Sequence, residues 1–286
     1  MRPLPLPPLT PSAVDAMLSQ LRTRGFACVS LHPHHRPWIR NALRSALASS
    51  SDAATMKEFR FPPIEGSIVY TESKRLAFRA LFEVATNCLE GLLLSLNKCG
   101  GEEESMTLTT RSSSRTFTEA LCKVRGDEAR LFGRDENEPF EPSQPFSQSF
   151  FNLFNYDHGS LNGHVDRSLL TVIYSTAPDV ADTTSSPEKP PVRRSALWVK
   201  DRQGTWHDAD RVVRPDQALI MVGEDLERAG IAEKLQLFAA EHAVRVDPAG
   251  LRIERSHFRR DPGCTEGIGN RLSAAMILRH ELEEMI

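Results

Sequence analysis

Several absences narrow the chemistry of this 286-residue chain before any motif is read. No run approaches the ~20 apolar residues that a membrane-spanning helix needs. The opening MRPLPLPPLT is too interrupted by proline to be the apolar segment of a secretory signal. Charge of one sign is lacking as well: 35 Lys and Arg stand against 38 Asp and Glu, a net −3 with histidine neutral. Proteins devoted to nucleic-acid backbones carry a basic excess, because cation–phosphate contacts supply their affinity. Nucleic acid is therefore not the expected partner. Cysteine is scarce and scattered. Cys28, Cys88, Cys99, Cys122 and Cys264 include no Cys-x-x-Cys pair, which argues against a disulfide framework or a structural zinc site and fits reduced thiols in the cytoplasm. The remaining composition is ordinary, 40% hydrophobic and 26% charged, at a length ample for a real core.

Residues 1–11 read as a proline-rich tail, and residues 12–286 as a single domain. A short helix is expected next, with Ser12 as its N-cap and Val14, Met17, Leu18 and Leu21 along one side, broken by Gly25. A buried strand over 26–31 and a helix over 35–49 follow. Residues 72–97 carry the best helical pattern, with Phe78, Leu81, Phe82, Ala85, Cys88, Leu89, Leu92, Leu93 and Leu96 in a broad apolar stripe. Such stripes are core. The Ser/Thr/Glu-rich 100–118 and the Pro/Glu/Asp-rich 134–147 read as surface loops around an element near 119–132. Strands are expected at 151–156, 169–175, 196–199, 218–222, 242–246 and 272–278, with an exposed insertion over 177–195. Helices first and strands second make an α+β chain, mainly helical over 12–100, whose part from about 145 to 280 is an antiparallel sandwich or barrel.

Chemistry concentrates in that second part. In His164-Val165-Asp166, just before an apolar strand, residues i and i+2 of an extended chain point to one face, so imidazole and carboxylate would converge. Such a triplet recurs by chance. His242, on a strand-like stretch, adds the distant histidine that completes the form of the 2-His-1-carboxylate facial triad of non-haem Fe(II) oxygenases. Arg271-Leu272-Ser273 then heads the apolar strand to Leu278. A buried arginine needs a partner, and a planar guanidinium suits a carboxylate.

These pieces, in this order, resemble the isopenicillin-N-synthase-like branch of the Fe(II)- and 2-oxoglutarate-dependent dioxygenases. Further likenesses are Gly25-Phe26 before the first strand, Phe154-Asn155-Tyr156 for the family's Asn-x-Tyr segment, Gly204-Thr205-Trp206 for its Gly-x-Trp turn, and Asp216 to Glu224 before the distal histidine. The resemblance implies a double-stranded β-helix (jelly-roll) core with N-terminal helices packed against it. It implies His164, Asp166 and His242 as Fe(II) ligands, with His158, His207 and His257 outside the set. Arg271 and Ser273 would hold the distal carboxylate of 2-oxoglutarate, with Tyr156 as a further donor, and ascorbate is a possible reductant. The activity implied is oxidation of a small organic molecule with release of succinate and CO2.

There are departures. Phe154 stands where the family has asparagine. The insertion 247–270 carries Arg252, Arg255, Arg259 and Arg260, and reads either as a solvated loop or as a lid over the site, facing an anionic substrate. Two other functions stay open on the residues alone: an iron oxidase of the same fold that does not use 2-oxoglutarate, and a catalytically silent binding module.

Overall fold

The structure is a computed structural model that describes residues 8–48, 55–60, 72–98, 107–109, 114–116, 119, 122, 149–156, 161–176, 196–245 and 271–279. Helix α1 (Pro11–Arg24) opens it. Its N-cap is Thr10 and not Ser12: the Thr10 hydroxyl accepts from the Ala13 amide at 3.3 Å, and Pro11 takes the first helical position, where a missing N–H costs nothing. Gly25, at φ 79°, ends the helix. A side chain there would also strike Ala240 Cβ at 2.7 Å. Strand β1 (Phe26–Ser30), α2 (His35–Ala48), β2 (Thr55–Arg60) and α3 (Glu72–Lys98) follow.

Within the expected loop 100–118 the chain makes a small hairpin, β3 (Thr107–Thr109) with β4 (Ser114–Thr116). Its short Thr/Ser strands offer no apolar alternation to read. Then come β5 (Phe150–Tyr156), β6 (Leu161–His164), β7 (Leu170–Thr176), β8 (Ala196–Lys200), β9 (Trp206–Asp208) and β10 (Gln217–Val222). The short helices α4 (Glu224–Arg228) and α5 (Ile231–Lys234) precede β11 (His242–Arg245) and β12 (Arg271–Leu278). The tail's first seven residues, the loop 134–147 and the insertions 177–195 and 247–270 lie outside the described residues, and of the element near 119–132 only Glu119 and Cys122 are described.

Two antiparallel sheets form the jelly roll. The larger runs β1-β10-β7-β12-β5-β2 and the smaller β6-β11-β8-β9. Strand alternation gives the larger sheet two buried faces. Ala27, Val29, Leu170, Val172, Tyr174, Ala218, Ile220, Ala274 and Met276 lie in one core with the apolar sides of α1, α2 and α3. Their neighbours in sequence, Phe26, Ile173, Leu219, Met221, Ala275 and Ile277, meet Leu197, Val199 and Val244 of the smaller sheet in a second core. Glu83 of α3 is buried but not alone. It accepts from Arg79 at 2.8 Å and faces His35 of α2 at 3.1 Å, an ionic link inside the helical layer.

Candidate metal centre

His164 ends β6, directly opposite His242 of β11 in the smaller sheet. The two rings are 4.3 Å apart, centroid to centroid. Asp166 lies two residues beyond β6, where the chain leaves the smaller sheet to enter β7 of the larger one. As the i, i+2 spacing of an extended chain leads one to expect, His164 and Asp166 turn to the same side, with Val165 exposed between them. The site lies where the chain passes from one sheet to the other.

The donor atoms are aimed. His164 Nδ1 lies 2.9 Å from the Asn162 carbonyl and His242 Nδ1 lies 3.3 Å from the Ala240 carbonyl. A carbonyl can only accept, so each Nδ1 carries a hydrogen, and in the neutral ring Nε2 is left with its lone pair. Both Nε2 atoms face Asp166, at 3.5 Å from Oδ1 for His164 and 3.5 Å from Oδ2 for His242. The ligating atoms of all three lie within 4.8 Å of one another. That is the tautomer and spacing of a metal-ligand set, with the second nitrogen of each ring tied to the backbone.

Electrostatics follow from position. Burial alone would raise the Asp166 carboxyl, but the His164 side chain, the charge of His242 and the Thr171 hydroxyl outweigh it and hold it at about 2. Thr171 Oγ1 donates to Asp166 Oδ2 at 2.6 Å. Burial pushes His242 below the ordinary imidazole value. His164 is raised, chiefly by Asp166, and is the more exposed of the two.

A second set of bonds fixes the turn that carries Asp166. The Glu224 amide donates to the Asp166 carbonyl at 2.9 Å, the Gly223 amide to Leu169 at 3.1 Å and the Asp225 amide to Ser168 at 3.2 Å. Gly223 must be glycine for this approach: a Cβ there would lie 2.0 Å from the Ser168 carbonyl oxygen. Thr171 and Gly223 both escaped sequence reasoning. The signal for Thr171 was a hydroxyl inside an apolar strand; Gly223 gave only a glycine between a strand and an acidic stretch.

The donors open into a cavity between the sheets, walled by Phe154, Thr171, Ile173, Leu197, Ser273 and Ala275 among others, with a volume of about 50 Å³. Ser273 is buried and stands opposite Phe154 on β5 and Ser175 on β7. Arg271 and Tyr156 are paired across β12 and β5, two residues from Ser273 and Phe154. His207 stands apart from the three donors, its Nε2 2.7 Å from Asp201 Oδ2; His158 and His257 lie outside the described residues.

No protein-family model matches the chain, and no curated protein matches its sequence. Solved structures do match. A protein from Shewanella oneidensis described as an oxygenase shares 16% identity over 94% of this chain and 87% of its own, with a TM-score of 0.52. One from Caulobacter crescentus, described as a member of the 2OG-Fe(II) oxygenase family, shares 13% over 96% of this chain and 83% of its own, also at 0.52. The chain thus has the jelly-roll fold of the 2-oxoglutarate/Fe(II) oxygenases. The likeness is to that fold as a whole and does not single out the isopenicillin-N-synthase-like branch. Among the described residues no helix is long and apolar enough to cross a membrane.

Proposed function

We propose, from that shared fold, that the chain is a non-haem Fe(II)- and 2-oxoglutarate-dependent oxygenase acting on a small organic molecule in the cytoplasm. The observation that supports it most is the aim of the donors: two imidazoles with Nδ1 engaged by backbone carbonyls and Nε2 turned on one ionised carboxylate. Two neutral nitrogens and one anionic oxygen form the donor set of a facial triad, which leaves positions open on the far side of an ion. His164, Asp166 and His242 would hold the iron. Arg271, Ser273 and Tyr156 would hold the distal carboxylate of 2-oxoglutarate. With dioxygen as the four-electron oxidant, the bound iron and oxo acid would supply the chemistry that oxidises a substrate C–H bond, the oxo acid being oxidised in turn to succinate and CO2.

The chain's own residues supply position and dryness. Thr171 holds the Asp166 carboxylate in place through its hydroxyl. The carbonyls of Asn162 and Ala240 fix the ring orientation of His164 and His242. Ile173, Leu197, Val244 and Ala275 keep water from the cavity wall. The test is anaerobic addition of Fe(II) and then 2-oxoglutarate. A visible metal-to-ligand charge-transfer band is expected, followed by succinate release on admitting air. Iron binding with no band and no succinate would sink the 2-oxoglutarate assignment in favour of an oxidase, and no iron binding would sink both.

A further inference from the structure

The helical layer holds a second cavity, of about 350 Å³, that shares no wall residue with the metal centre. It lies where the entry to α1, the end of β1 with the segment after it, and the middle of α3 come together. Val29 of β1 belongs to the core beneath the helices, so the larger sheet stands between this cavity and the three donors. Exposed Thr10, Ser30 and Pro33 stand at its rim. Val29, Leu31, Val84, Asn87 and Cys88 form a buried floor.

Asn87 stands out among the buried polar residues of α3. Glu83 is held by Arg79 and His35, and the hydroxyls of Thr86 and Ser95 donate to carbonyls one turn back. Asn87 is 8% exposed, yet its amide makes no hydrogen bond to any described residue. Asparagine is also a poor helix former, so neither local propensity nor a partner in the fold accounts for it in mid-helix. The described wall is otherwise apolar or small, and it holds no Asp, Glu, Lys or Arg. Burial pushes the Cys88 thiol up to about 12, so it too is uncharged at neutral pH. A charged ligand would enter this floor without a counter-charge, which is costly. An amide both donates and accepts, and so suits a neutral group that does the same. Small-molecule sites commonly have about 300–1,000 Å³ and set a few polar groups in an apolar wall. We propose that this cavity binds an uncharged, mainly apolar small molecule that ends in a carboxamide or hydroxyl, with that end paired to Asn87.

Calorimetric titration of the full chain with hexanamide, hexanoate and hexylammonium tests the assignment, because the three share one alkyl chain and differ only at the head. Hexanamide should bind saturably, with both charged probes weaker by about 10-fold or more. Asn87→Leu, close in shape but without a polar atom, should weaken hexanamide by roughly 10-fold. Val84→Phe, which sets a larger side chain in the floor, should abolish binding. Mn(II) affinity should stay within about twofold of wild type in both variants, and saturating Mn(II) should leave hexanamide binding unchanged. Equal affinity for the three probes overturns the proposal, as does a hexanamide affinity that Asn87→Leu leaves unaltered. Competition between hexanamide and Mn(II) overturns it too, since the probe would then sit in the other cavity. So does a wild-type chain that takes none of the three. Should Asn87→Leu fail to fold, Asn87→Ala is titrated in its place and judged by the same outcomes.

Discussion

Strands β7 and β12 each present two surfaces of different character. Leu170, Val172, Tyr174, Ala274, Met276 and Leu278 lie beneath the helices, and the one hydroxyl among them, on Tyr174, donates to the Pro215 carbonyl at 3.3 Å. Thr171, Ile173, Ser273 and Ala275, at the alternate positions, face the cavity. Here hydroxyls are placed where only particular groups meet them: Thr171 on a candidate ligand, Ser273 beside Phe154. Stability and chemistry are thus divided by parity along the same strands. A substitution should damage one and spare the other.

The largest expected effect is on the cavity side. Asp166→Ala should reduce Mn(II) affinity on the order of 100-fold or more, since it removes the anionic member of the set. Its far-UV circular dichroism should stay at the wild-type value. A comparable loss of fold would break the division. On the helical side, Met276→Ala should lower unfolding free energy by about 2–5 kcal/mol in denaturant titration, because a fully buried side chain is cut back to a void. Its metal affinity, measured on the folded fraction, should be unchanged.

Acidification sharpens the contrast. Metal binding needs neutral His164 and His242 and ionised Asp166. His164 is raised by Asp166, so proton competition there begins above the ordinary histidine value of about 6.5. Mn(II) affinity should therefore fall as pH drops through that region. The same groups set the stability of the metal-free fold. The raised His164 contributes below its unfolded pKa, and that contribution is lost as pH rises through its folded value. The depressed Asp166 contributes above the ordinary carboxylate range, and that contribution is lost as pH falls toward about 2. His242, lowered by burial, opposes folding once its unfolded form protonates. Affinity that stays flat from pH 8 to about 5.5 would contradict the assignment of the imidazoles as ligands. The smallest effect is expected at Phe154. Phe154→Ala should enlarge the cavity and tighten 2-oxoglutarate by a few-fold, about 1 kcal/mol or less, read from the same anaerobic titration.

How much of this was legible in the sequence depends on the range of the forces involved. The helix at α3 was plain because its apolar period repeats over about five turns, from Phe78 to Leu96. Strand β2 was missed because Thr-Met-Lys-Glu-Phe-Arg has little pattern of its own and takes its place by pairing with β5. The three donors were found by residue type and order. His164 and Asp166 do turn to one side of the chain, with Val165 exposed between them, but the sequence held no sign that the two sheets meet just beyond Asp166. Thr171 and Gly223 act through contacts made by distant segments, which local patterning does not encode.

Gly223 ties the completeness of the donor set to the joint between the two sheets. His164 and His242 meet through pairing of β6 with β11, within one sheet. The turn holding Asp166 takes its bonds from the amides of Gly223, Glu224 and Asp225, at the end of a strand in the other sheet. The smaller sheet by itself therefore holds two imidazoles, and the third donor is fixed only where the two sheets meet. A side chain at position 223, which would lie 2.0 Å from the Ser168 carbonyl oxygen, should weaken metal binding without touching any ligand.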